Sequence, residues 1–227
     1  MKNVLNHSFG LYSKELLKVM LLSLITYVPL LFLHAFIVNY IYELSRNAEY
    51  PGVAGDFANG VIMLVFLTIA QVPFIRFTLL DHQDEDRLVA SSLSFSIDRI
   101  IPLYIFSCLY AFVVYLGGFL FVIPGMIVLL FLYFVPFFIS ESGKGYKRAI
   151  QKSIKFVRRN FWKCFLMIIL LSILQLFFEN ILIFILQLYT NSYFTILLAK
   201  ILLLMFILPF QTIMLTNLFL EWKETKE

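Results

Sequence analysis

The segment Gly145–Lys163 is the part of this 227-residue sequence best suited to bind a charged ligand. Six mostly apolar residues fall on one face of a helix: Tyr146, Ile150, Ser153, Ile154, Val157 and Phe161. Seven basic residues cover the rest: Lys147, Arg148, Lys152, Lys155, Arg158, Arg159 and Lys163. A basic amphipathic helix of this kind is typical of one lying in a membrane interface, where each cation near an anionic leaflet contributes about 1 kcal/mol. We therefore predict an anionic-headgroup site formed by these seven side chains. The alternative is a helix that only anchors the topology of the chain.

Glu179 and Lys200 are a second chemical feature, because each lies within an apolar segment. Ionisable groups inside a membrane are costly and require partners. In an antiparallel hairpin that turns near Tyr189–Ser192, the two residues reach nearly the same depth, so we predict an intramembrane ion pair. A structural fastening of the hairpin is the favoured interpretation. The alternative is a proton- or substrate-coupled site that includes His34 in the same layer.

Other reactive chemistry is sparse. The two cysteines and three histidines do not form a metal-binding pattern, and no nucleophile triad, phosphate-binding loop or zincin helix is visible. We therefore expect a non-enzymatic protein without metal or cofactor. Polar residues within the apolar segments, such as Gln71, Gln175 and Gln211, are expected to form ordinary hydrogen bonds between helices.

Six apolar segments must position these residues: Val19–Leu44, Asn59–Leu80, Pro102–Val122, Met126–Ser140, Cys164–Leu188 and Tyr193–Leu220. The sequence is 61% hydrophobic, whereas soluble domains contain about 45–50%. A hydrocarbon core about 30 Å thick needs roughly 20 helical residues, and continuous apolar runs exclude an alternating barrel. We predict an all-α polytopic transmembrane bundle, with six spans as three hairpins and short amphipathic interfacial helices. We expect residues 1–227 to form a single integral membrane domain.

The distribution of charge predicts the orientation. Of 18 Lys and Arg residues, 15 fall in the two termini or in the second and fourth connections between spans, and Arg76 lies close to the second connection; Arg46 and Lys200 are the exceptions. Since basic loops remain cytoplasmic, we predict a multi-pass protein of the plasma membrane with both termini in the cytoplasm. The same concentration of charge favours anionic membrane lipids as partners, and no nucleic-acid-binding motif is present.

Three prolines occur in similar positions of the even-numbered spans, each between an apolar residue and Phe: Pro73, Pro136 and Pro209. We predict kinks there that splay these helices and open a cleft facing the cytoplasm. Together with an amphipathic segment before each odd span, they indicate internal repeats over 1–82, 83–143 and 144–227. Composition alone is the alternative explanation for this similarity. Gly117-Gly118 and Pro124-Gly125 are expected to shape the turn between spans three and four.

The string Leu116–Met126, followed by Ser153–Trp162, resembles a bacterial group of six-span proteins named after the membrane domain of glycerophosphodiester phosphodiesterases. The resemblance covers the Gly-rich turn ending in Pro-Gly and the amphipathic helix ending in Asn-aromatic-Trp. It implies a six-span fold. The phosphodiesterase barrel is absent, so hydrolase activity is not implied.

Together these features predict an accessory or scaffold protein with an envelope- or lipid-related role. Such a protein contacts anionic lipids and can assist a membrane-protein partner complex. The alternative is a small transporter or lipid-translocating protein that uses the layer containing Glu179 and Lys200.

Overall fold

The structure is a computed structural model that describes residues 2–47, 49–50, 52–142 and 145–224. Lys144 and Lys226, which contribute to the charge pattern, lie outside the described residues. All regular secondary structure in the described part is helical. The helices are α1 (Lys2–Lys14), α2 (Leu16–Leu44), α3 (Val53–Ala70), α4 (Val72–Asp81), α5 (Leu88–Asp98), α6 (Ile100–Leu120), α7 (Val122–Tyr133), α8 (Val135–Ser142), α9 (Tyr146–Arg159), α10 (Phe161–Gln187) and α11 (Tyr193–Glu224).

Six helical stretches are long and apolar enough to cross a membrane, which confirms the predicted all-α multi-pass fold. They are Leu16–Leu44, Val53–Asp81, Ile100–Leu120, Val122–Glu141, Phe161–Gln187 and Tyr193–Lys223. The second stretch consists of α3 and α4, and the fourth consists of α7 and α8. The connection between α10 and α11 covers residues 188–192, which includes the predicted turn at Tyr189–Ser192.

Two of the three prolines lie just after helix breaks. Gln71 separates α3 from α4, and Phe134 separates α7 from α8. Pro73 and Pro136 are therefore the second residues of α4 and α8. In the first turn of a helix the backbone N–H groups have no partner within the helix, so proline loses no hydrogen bond there. Pro209 instead lies inside the uninterrupted helix α11.

The segments beyond the prolines pack together and do not splay. Phe74, Phe137 and Phe219, one from each segment, are fully buried. The ring of Phe219 lies 5.6 Å from that of Phe137 and 6.2 Å from that of Phe134, measured between centroids. Helix α4 packs against both α8 and α11, so the three segments are in contact on the side where the cleft was expected.

The short helices pack at this same end of the bundle. Helix α1 packs against α11, α5 against α4, and α9 against α8. Each short helix thus covers the buried half of an even-numbered span, and the order of one short helix and two spans occurs three times. This is the order expected of the predicted units. We call this end, which also carries the C-terminal part of α11, the basic end.

The glycines of the second hairpin have a different role from the predicted one. Gly117 and Gly118 lie inside α6, Pro124 and Gly125 lie inside α7, and the turn is the single extended residue Phe121. A Cβ atom on Gly125 would lie 2.7 Å from the backbone nitrogen of Gly118. Gly117 and Gly125 therefore permit close approach of the two helices, whereas turn geometry was expected.

Candidate functional site

Helix α9 is docked on protein along its apolar face. Ala149, Ser153, Phe156 and Val157 are buried, and the Ser153 hydroxyl donates to the carbonyl oxygen of Phe131 at 2.6 Å. The covering elements are α7 and α8. The apolar face is thus occupied by the bundle itself and is not free to enter lipid.

The docking also rotates the buried face from the predicted one. Ile154 was assigned to that face but is 40% exposed, whereas Phe156 was not assigned to it and is 7% exposed. The reason is aromatic packing: the Phe156 ring lies 5.1 Å from Phe134 and 5.3 Å from Phe219 between centroids. These partners come from distant parts of the chain, so local periodicity could not reveal them.

The rotation directs one stripe of basic residues toward the end of α11. Lys152, Lys155 and Arg159 are spaced three and four residues apart, so they share one side of the helix. They line a cavity of about 170 Å³ that we call the basic cavity. Its remaining walls are Phe138, Phe156, Asn160, Trp222 and Lys223.

The walls of the basic cavity combine cations with aromatic surfaces. The Lys152 ammonium lies 5.9 Å from the centroid of the Phe138 ring. The Lys163 ammonium lies 6.0 Å from the centroid of the Trp222 ring. Trp222 lines the cavity and Lys163 does not, so Lys163 lies next to the cavity. Lys223 forms an ion pair with Glu141 of α8. Four basic side chains therefore line the cavity, and one of them is already paired with a carboxylate.

The predicted headgroup residues consequently divide into two groups. Lys152, Lys155 and Arg159 are brought together in the cavity, and Lys163 lies next to it. The three remaining residues, Lys147, Arg148 and Arg158, do not line it. Sequence reasoning missed Asn160, Trp222 and Lys223. The only available signal for the last two was a Trp-Lys pair at the end of the final span.

The structure also brings Glu179 and Lys200 together. The Lys200 ammonium lies 2.9 Å from Oε2 of Glu179, between α10 and α11. The Gln175 amide donates to the other carboxylate oxygen, Oε1, at 2.8 Å. Glu179 is 7% exposed, whereas the Lys200 side chain is 41% exposed. The carboxylate is thus satisfied from two sides, and the ammonium remains partly open to its surroundings.

His34 lies near this pair, with its own partner. Its Nε2 atom lies 3.2 Å from the carbonyl oxygen of Asn59 on α3. The ring is close enough to Lys200 for a Coulombic interaction. The hydrogen bond of the His34 ring thus goes to α3 and not to Glu179.

One tyrosine at the basic end, Tyr12, has a raised pKa. Burial raises the pKa of Tyr12 on α1 to about 12. The protonated hydroxyl donates to the carbonyl oxygen of Phe206 on α11 at 3.0 Å. Tyr12 thus acts as a hydrogen-bonding tether between the N-terminal helix and the last span.

Comparison with known protein families assigns the chain to one of them. The family model described as "Domain of unknown function (DUF7847)" matches residues 87–220, and the chain belongs to this family. The matched range runs from the start of α5 through most of α11, so it includes α9 and the Glu179–Lys200 pair. No curated protein and no solved structure matches the chain.

Proposed function

We propose that this DUF7847 member is a non-enzymatic plasma-membrane protein that binds anionic lipid headgroups in its basic cavity. Its role is accessory, in an envelope- or lipid-related process. The observation that carries the proposal is the convergence of Lys152, Lys155, Arg159 and Lys223 on one cavity of about 170 Å³.

The charge of the basic cavity favours a phosphate-containing ligand. Glu141 offsets Lys223, which leaves three cationic side chains of α9 facing the cavity. Arginine and lysine form charge-assisted hydrogen bonds with phosphate oxygens. Asn160 is a neutral hydrogen-bonding residue beside them, and its side chain donates to the Phe156 carbonyl oxygen at 3.2 Å.

The surroundings of the cavity favour a lipid over a free phosphate. Trp162, at the start of α10, is 69% exposed, which is typical of an aromatic residue at headgroup depth. Beyond it, α10 presents exposed apolar side chains along its length, including Leu166, Leu170 and Ile173. A lipid with its phosphate in the basic cavity can therefore lay its acyl chains along α10. By the charge rule, the basic end then faces the cytoplasm.

Two triple variants of the full chain test this proposal. The cavity variant carries Lys152→Gln, Lys155→Gln and Arg159→Gln. The matched control carries Lys147→Gln, Arg148→Gln and Arg158→Gln, so it removes the same charge from the same helix outside the cavity. Binding of dioleoylphosphatidylglycerol and of zwitterionic dioleoylphosphatidylcholine is measured on purified protein in detergent.

We expect the cavity variant to lose affinity for the anionic lipid by at least about tenfold, since three cations each contribute about 1 kcal/mol. The control should lose much less. Equal losses in the two variants would indicate diffuse attraction to the membrane surface, and the helix would then be only a topology anchor.

A small transporter or lipid-translocating protein is the second candidate. The observation that favours it is the intramembrane Glu179–Lys200 pair, with Gln175 linking the carboxylate to the interior of the bundle. Flux of fluorescent lipid across liposomes containing the protein tests this candidate. Flux that depends on Glu179 supports transport, whereas binding without flux supports the accessory role.

A further inference from the structure

The interior of the bundle contains a second cavity, of about 140 Å³, to which all six spans contribute. We call it the interior cavity. Its lining includes the amides of Gln71, Gln175 and Gln211 and the hydroxyl-bearing residues Tyr133 and Ser172. In the described part of the chain, no charged residue lines this cavity. A concentration of neutral polar groups at this depth is unusual, because polar groups are costly inside a membrane.

Several polar side chains of the cavity wall are satisfied within the protein. The Gln211 amide donates to the Leu171 carbonyl oxygen at 3.1 Å, and Gln175 donates to Glu179 at 2.8 Å. The hydroxyls of Tyr27 and Thr212 lie 3.0 Å apart. These bonds hold the donors and acceptors of the cavity wall in fixed positions.

Gln71 is different from the other two glutamines. It occupies the break between α3 and α4 and is 8% exposed. Among residues 2–47, 49–50, 52–142 and 145–224, its amide has no hydrogen-bond partner. Gln71 lines the interior cavity, so its amide is accessible from that space. A polar group of a ligand in the cavity can therefore form hydrogen bonds with it.

An apolar groove of about 630 Å³ adjoins the interior cavity. It lies between α3, α6 and α7, and its lining is almost entirely apolar, including Phe57, Phe119 and Met126. Leu64 and Leu67 line both the groove and the interior cavity. A polar space and a larger apolar space therefore meet at these two leucines.

We propose that the bundle binds a neutral amphiphile of the diacylglycerol class, with its hydroxyl head in the interior cavity and an apolar chain in the groove. The head donates to and accepts from Gln71, which has both an amide N–H and an amide oxygen. The absence of a cation from the described lining disfavours a phosphate head at this place. This site is separate from the basic cavity, and neither proposal depends on the other.

Retention of radiolabelled dioleoylglycerol by the purified full chain tests the proposal, with radiolabelled dioleoylphosphatidylglycerol as the second probe. Gln71→Leu removes the unpartnered amide at similar volume, and Met126→Trp fills the groove. The matched controls are Gln187→Leu, at the exposed end of α10, and Leu166→Trp, on the exposed flank of α10.

We expect Gln71→Leu to weaken binding of dioleoylglycerol about tenfold, the effect of losing one hydrogen bond to a buried amide. Its thermal unfolding without lipid should be unchanged or shifted upward, which shows that the fold is intact. Met126→Trp should compete with the chain and also lower retention. Both variants should bind dioleoylphosphatidylglycerol as the unmodified protein does.

Three results would each overturn the proposal. The first is unchanged retention of dioleoylglycerol by Gln71→Leu. The second is an equal loss in Met126→Trp and Leu166→Trp, which would indicate a general effect of bulk. The third is retention by the unmodified protein no greater than that of the detergent alone.

Discussion

The Ser23 hydroxyl on α2 lies 2.9 Å from the carbonyl oxygen of Met205 on α11, to which it donates. Met205 is four residues before Pro209, so its carbonyl is the one that proline leaves without a helical donor. Ser23 is fully buried. A neighbouring span therefore supplies the hydrogen bond that Pro209 removes, and this explains how α11 continues unbroken through the proline.

This relationship predicts the effect of Ser23→Ala. The change should lower the free energy of unfolding by about 1 kcal/mol, because it leaves a buried carbonyl without its donor. In a Pro209→Ala background the helix regains its own N–H at position 209, so the same change should cost less. A double-mutant cycle on detergent-solubilised protein measures the difference. Equal costs in both backgrounds would show that Ser23 does not compensate for the proline.

The second prediction concerns the ion pair of Glu179 and Lys200. Lys200→Met should destabilise the protein by roughly 3–5 kcal/mol, because it leaves the buried Glu179 carboxylate without its cationic partner inside a span. Adding Glu179→Leu should recover much of the loss, since the uncompensated carboxylate is the main cost. Thermal and denaturant unfolding of the single and double variants measure the free energies of unfolding for a double-mutant cycle.

A functional measurement also tests whether the Glu179–Lys200 pair is only structural. A double variant as stable as the unmodified protein should retain any phenotype that the intact protein supports. If it is stable but inactive, the pair has more than a structural role, and the transporter function gains over the accessory one.

The third prediction concerns the contact between α6 and α7. Gly125→Ala should destabilise the second hairpin by about 1–3 kcal/mol, since the added methyl group would meet the backbone of Gly118. Gly118→Ala is the matched control, because a Cβ atom there has open space around it. The control should be neutral or slightly stabilising. Similar destabilisation by the two changes would mean that glycine matters here for another reason than close helix approach.

The fourth prediction concerns orientation. In a background with Cys108→Ser and Cys164→Ala, Asn47→Cys should react with a membrane-impermeant thiol reagent in intact cells, and Lys152→Cys should react only after lysis. The physical reason is the retention of basic segments in the cytoplasm. Labelling of position 152 without labelling of position 47 would reverse the orientation and place the basic cavity outside.

Local sequence patterns were sufficient for some of these features. Apolar length determines the spans, and equal distance from a hairpin turn places Glu179 beside Lys200. Features that depend on contacts between distant segments could not be predicted. The buried face of α9 is chosen by Phe134 and Phe219, Lys223 joins the basic cavity from the last helix, and Gln71 lacks a partner only because of how the other spans pack. Each span carries polar residues, and nothing local distinguishes a satisfied glutamine from an unsatisfied one.

The most direct test of the account is to map where an anionic headgroup contacts the protein. The full chain in phosphatidylcholine nanodiscs is mixed with a small fraction of phosphatidylglycerol that carries a photoreactive headgroup, and cross-linked peptides are identified by mass spectrometry. We expect cross-links within 152–160 and at Trp222 or Lys223, which unmodified phosphatidylglycerol should compete away and the cavity triple variant should lose. Cross-links confined to Lys147, Arg148 and Arg158, or unchanged in that variant, would contradict the basic cavity as the headgroup site.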